Sequence, residues 1–199
     1  MITIRRNVFE TNSSSTHALA IPHTRLVRSE LPSHIDFHLG EFGWEFTEVN
    51  AADYFYTWLF NHYKDNKSLL TEKINQLDNI LREYGITATY EQEHEFVEDF
   101  HGERWTHVDT GYIDHTEDLE DYFEKMLLHK TALIKFLCSG RVFTGTDNCD
   151  DKESAMVYRD SPTYENHTYS HKNGKFTVRS RTKKNPYYLP GYDWFFKGN

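Results

Sequence analysis

Between Arg5 and His17 the chain reads Arg-Arg-Asn-Val-Phe-Glu-Thr-Asn-Ser-Ser-Ser-Thr-His. Two guanidinium groups, a carboxylate, an imidazole and five hydroxyls stand within 13 positions. Such a run is poor core material, because each polar group taken out of water needs a partner. As chemistry it offers Glu10 or His17 as a base and Ser13, Ser14 or Ser15 as a nucleophile or ligand contact. Arg5, Arg6 and Asn12 would hold an anion or phosphate. No Gly-x-Ser-x-Gly elbow singles out one serine. The same residues also suit a hydroxyl-rich turn that satisfies its own backbone.

The elements that must carry this run are readable from periodicity. Residues 2–6 and 16–22 read as strands on either side of it, and 35–39 and 44–49 as two more. Asn50 with Asp53 marks the start of a helix reaching Tyr63, with Tyr54, Phe55, Trp58, Leu59 and His62 on one face. In 67–84, Leu70, Ile74, Leu77, Leu81 and Tyr84 alternate steps of four and three, and Gly85 suits the left-handed residue after a helix. Residues 86–92 look extended. A long helix, or two in succession, is expected over 117–138, with Leu119, Tyr122, Phe123, Met126 and Leu127 as its buried stripe and Gly140 ending it. A strand at 141–144 follows. Asn173-Gly174 is a strong two-residue hairpin signal within the basic stretch 164–184. Strands and helices interleave without a βαβ repeat, so the expected fold is α+β: a single compact domain over 1–199, an antiparallel sheet with about three helices and a C-terminal β-hairpin.

Charge is unevenly placed. The chain has a formal net charge of −9, yet Glu91 to Glu124 holds thirteen acids against Arg104 alone, and Lys172 to Lys184 holds six cations and no acid. The stretch 91–116 has no sustained period and reads as an irregular acidic segment, either a loop or an irregular hairpin. Its carboxylates, interleaved with Phe96, Phe100, Trp105 and Tyr112, could imitate a nucleic-acid backbone and occupy a basic groove. Glu93, Glu95, Glu98, Asp99 and Trp105 are the candidate partner contacts. The basic hairpin Lys172–Lys184, with Tyr187 and Tyr188 after it, could hold phosphate or single-stranded nucleic acid. Six charges on an exposed hairpin read first as solubility and edge protection, and direct nucleic-acid binding is not expected.

No apolar run approaches the roughly 20 residues of a membrane span, and no signal peptide is visible, which points to the cytoplasm. Cys138 and Cys149 make no disulfide framework. With His167 and His171 they match no common zinc spacing, and Asp147–Asp151 lacks the glycine and distal glutamate of a calcium loop. The order His107-x-Asp109, His167, Arg179 is that of iron oxygenases, but a helix interrupts the required jelly roll. No metal or cofactor is expected.

The opening run resembles the start of a group of small proteins encoded by phages and other mobile elements of Gram-positive bacteria. They begin Arg-x-x-Val-Phe-Glu-Thr-Asn-Ser-Ser-Ser-x-His, which this chain matches from Arg5 to His17. The resemblance stops near Ile21 and implies an origin more than a reaction. It makes the leading expectation an accessory protein that binds and inhibits a host defence complex in an anti-CRISPR-like manner. The alternative is a transferase or hydrolase acting on a nucleotide-type substrate, with its site in the N-terminal cluster. Oligomeric state stays open.

Overall fold

The computed structural model describes residues 15–43, 47–100, 103–114, 119–146, 161–172, 175–185 and 188–197. For 15–16, 94–100, 103–109, 146, 164–167, 169, 171, 175–176 and 196–197 it describes the backbone alone. The expected strand at 2–6 lies outside these residues.

A four-stranded antiparallel sheet carries the fold. Its order is β12 (Tyr192–Lys197), β1 (Ser15–Pro22), β9 (Arg141–Thr146) and β4 (Thr47–Val49). Strand β1 is therefore interior: Leu19 lies opposite both Phe195 and Val142. Alternation sorts its residues between two layers. Leu19 joins the main core on the helical side, while Ala18 and Phe143 form a second cluster with Leu189 and Trp194. At the edge, Glu48 of β4 takes a two-pronged contact from Arg141 of β9, at 2.6 and 2.5 Å.

Helix α1 (Ala51–Tyr63) is the hub of the core. Asn50 caps it, its side-chain oxygen accepting from Ala52 N at 2.8 Å and Asp53 N at 3.3 Å. The sequence suggests one apolar face. In the structure nearly the whole circumference is buried, from Ala51 and Ala52 through Phe60, while His62 is exposed. The reason is its surroundings: α2 (Lys67–Glu83), α4 (Lys130–Ser139), β9 and β8 (Tyr112–Ile113) all pack on it. A helix enclosed around most of its circumference keeps only a narrow polar edge. Helix α2 follows its stripe, with Leu77 and Leu81 fully buried. Gly85 takes the left-handed conformation (φ 80°), and Ile86 N bonds back to Leu81 O at 3.0 Å, closing the helix end. The stretch expected as one long helix or two is two, α3 (Leu119–Leu128) and α4, separated at His129.

Short parallel pairs tie loops to this body: β2 (His34–Phe37) with β5 (Thr87–Tyr90), and β3 (Glu41–Phe42) with β8. Gly111, at φ 63°, lets β8 approach. A Cβ there would stand 2.8 Å from the backbone N and O of Gly40.

Two hairpins form sheets of their own. One is β10 (Thr163–Lys172) with β11 (Lys175–Lys184), the expected C-terminal hairpin. The other falls in the acidic stretch expected as a loop or irregular hairpin: it is a hairpin, and a regular one. Residues His94–Phe100 (β6) and Glu103–Asp109 (β7) pair antiparallel at seven successive positions, without a bulge. Phe96, Val97, Phe100, Trp105, Thr106 and Val108 are good strand formers. The acids interspersed among them broke up the apolar–polar alternation by which a strand is recognised. The described architecture is thus α+β, with four α-helices, a four-stranded antiparallel sheet and four smaller pairs.

Candidate functional site

The residues singled out from the sequence fall in two places. Arg5, Arg6, Glu10, Asn12, Ser13 and Ser14 lie outside the described residues. The run enters the sheet at Ser15, whose backbone is opposite Thr146 of β9, and ends at His17, opposite Thr144.

His17 is fully buried. Its Nε2 lies 2.8 Å from the backbone oxygen of Asp114, and its Nδ1 2.7 Å from the Tyr54 hydroxyl. A carbonyl only accepts, so Nε2 carries the proton and donates; in the neutral ring Nδ1 then accepts from Tyr54. Burial pushes the Tyr54 hydroxyl well above its ordinary pKa, which keeps it a donor. Asp114 is also buried, and its side chain accepts from the Tyr112 hydroxyl at 3.2 Å. Strand β1, helix α1 and the end of β8 are thereby joined through one imidazole. Both of its nitrogens are engaged inside the protein, and neither faces solvent.

Beside this network lies a cleft of about 350 Å³, lined by Trp58, Asn61, His62, Lys64, Tyr112 and Glu120. Trp58 and His62 stack with rings 5.4 Å apart, and His62 Nε2 is 3.4 Å from a Glu120 carboxylate oxygen. The Asn61 amide donates to the carbonyls of Thr57, Thr110 and Gly111 at 3.0, 2.9 and 3.2 Å. Lys64 donates to Asn61 Oδ1 at 2.9 Å. None of these residues was a site candidate from the sequence: Trp58 and His62 entered as one face of a helix, and Tyr112 as a ring in the acidic stretch. They come from three separated segments, and only the chain's folding brings them together.

Next to the cleft, Glu124 accepts from Tyr63 and from Lys73, the latter at 2.9 Å, and burial raises its carboxyl pKa. The Cys138 thiol, half-buried, is pushed up to about 11 by burial, so it is a poor nucleophile at neutral pH. No group of three or more histidine, cysteine, aspartate or glutamate side chains suited to a metal occurs among the described residues.

The acidic candidates come together on one element. Glu95, Glu98 and Asp99 lie on β6 and Trp105 on β7, with Glu98 directly opposite Trp105 and Asp99 opposite Arg104. Exposed Glu93 immediately precedes β6. Side chains 94–109 lie outside the description, so the backbone register is what groups these residues. Among the described residues no helix is long and apolar enough to cross a membrane. Comparison with protein-family models, with curated proteins and with solved structures gives no match.

Proposed function

We propose that this protein is an accessory protein of a phage or mobile element that binds and inhibits a nucleic-acid-handling defence complex in the cytoplasm of a bacterial host. The observation that carries this reading is the acidic hairpin β6–β7. A regular ribbon distributes its acids over both faces at fixed register: Glu98 shares a face with Trp105, Glu103 and Asp109, while Glu95 and Asp99 share the other. Carboxylates held at fixed register on a ribbon that is acidic on both faces are what a groove built for phosphates accepts. Trp105, on the face of Glu98, supplies an aromatic anchor of the kind that dominates interfaces. The mechanism is occlusion: the hairpin enters a basic channel, and opposite charge steers the encounter. An anti-CRISPR-like action is the concrete form. The engagement of both His17 nitrogens within the core favours this reading over one that needs the imidazole as an exposed base.

The test is a pull-down of tagged protein from host lysate at low and high salt, with intact masses recorded. The expected result is one stoichiometric partner of unchanged mass, captured at low salt and released as salt rises. Reversing Glu93, Glu95, Glu98 and Asp99 to lysine should abolish the capture. Salt-insensitive capture that survives the four reversals would overturn occlusion. A captured partner bearing a new covalent mass would point instead to chemistry at the N-terminal cluster.

A further inference from the structure

We infer that the β10–β11 ribbon is a docking surface for the phosphate backbone of double-stranded DNA. The register divides the ribbon's charges sharply. Lys172 pairs with Lys175, Ser170 with Thr177, Thr168 with Arg179, Asn166 with Arg181 and Tyr164 with Lys183. Directly paired residues share a face, and alternate pairs share the same one. One face therefore carries Lys172, Lys175, Arg179, Arg181 and Lys183 with no acid, beside hydroxyl and amide residues. The other face holds the pairs Thr163–Lys184, Glu165–Thr182, His167–Ser180, Tyr169–Val178 and His171–Phe176. Five of the six cations fall on one side, and the ribbon's lone acid falls on the other.

The ribbon is also open. Eight consecutive positions, 177–184, are exposed, so both faces of β11 meet solvent. Among the described residues, Lys172, Arg179, Arg181 and Lys183 make no ion pair with a carboxylate. Unpaired like charges this close repel one another, a cost that a polyanion relieves.

Duplex fits the shape better than single strand. Ten residue pairs span roughly 30 Å, close to one turn of B-form DNA, whose major groove admits a two-stranded ribbon. A single-strand site needs rings interleaved with its cations. Here Phe176, Tyr169, His167 and His171 occupy positions on the opposite face, and only Tyr164 shares the cationic one. Solubility and edge protection, the reading that left direct nucleic-acid binding unexpected, do not require the cations to be sorted onto one face. The inference is independent of the acidic hairpin, whose charge reversals leave the ribbon intact.

The test measures binding of the full chain to a fluorescent 20-base-pair DNA duplex of mixed sequence, and to one of its strands alone, by anisotropy across a salt series. Duplex should bind more tightly than single strand, with affinity falling as salt rises. The triple substitution Arg179→Gln, Arg181→Gln, Lys183→Gln should weaken duplex binding at least tenfold and flatten the salt slope by about 2–3. Removing the same charge elsewhere, by Arg25→Gln, Lys67→Gln and Lys184→Gln, should change it less than threefold. Equal losses in the two triples, preference for the single strand, or absence of duplex binding at low salt would each overturn the inference. Amine labelling of the unaltered protein gives a second readout. Duplex should shield Lys172, Lys175 and Lys183 but not Lys67 and Lys125, and uniform labelling would count against the site.

Discussion

Replacing His17 by alanine removes an imidazole that satisfies two buried partners at once, the Tyr54 hydroxyl and the Asp114 carbonyl. Each orphaned group costs about 1–3 kcal/mol, and a cavity is left beside Tyr54, whose ring lies 5.8 Å from the imidazole. The expected loss is about 3 kcal/mol or more in unfolding free energy, read by denaturant titration. A catalytic histidine would instead leave stability near its original value when removed. From the sequence, His17 was legible as a residue of consequence because so many polar neighbours precede it. Its role was not, because the partners that hold it lie 37 and 97 positions away. A second residue makes a pH-dependent contribution. Asp36 accepts from Thr89 and lies 3.1 Å from His34 Nε2, and these contacts hold its carboxyl below the usual carboxylate range. A lowered carboxyl stabilises the fold fully above its unfolded value, about pH 4, and that share is lost as pH falls through the lowered value. Amide protection in residues 87–90 should therefore fall on acidification, and Asp36→Asn should remove that acid-dependent component. An identical pH response in both proteins would contradict it.

At the scale of elements, what the sequence reveals follows how locally each element is determined. Helix α2 needs only its own stripe and Gly85, and it is read correctly from them. Helix α1 announces its start, and the Asn50 cap is found where its chemistry places it. Asn50→Ala should cost about 1 kcal/mol and lower the melting temperature by a few degrees, while Asn50→Ser should largely restore it. How deeply α1 is buried was hidden, because burial around most of its circumference is decided by the elements that surround it. The pairs β2–β5 and β3–β8 were hidden for the same reason: parallel partners far apart in sequence carry no hairpin turn to betray them. The hairpin β6–β7 is the reverse case, a local element obscured by its own charges. Alternation of type failed there, yet strand-forming residues and a two-residue gap at His101-Gly102 were present in the sequence.

Across the whole molecule, charge is organised by topology. A mixed α+β body carries two separate ribbons, one rich in acids and one in cations. The polarity along the chain was plain in the sequence. The basic stretch was legible as a hairpin from Asn173-Gly174. What the sequence left less plain is that the acidic stretch is a regular ribbon too, and that five of the six cations of β10–β11 share one face. The order β12-β1-β9-β4 also has a consequence for how the protein is made. Strand β1 is synthesised early, but one flank waits for residues 141–146 and the other for 192–197. Throughout elongation its amides and carbonyls, with Ala18, Leu19 and Ala20 between them, remain an open edge that any extended segment can occupy.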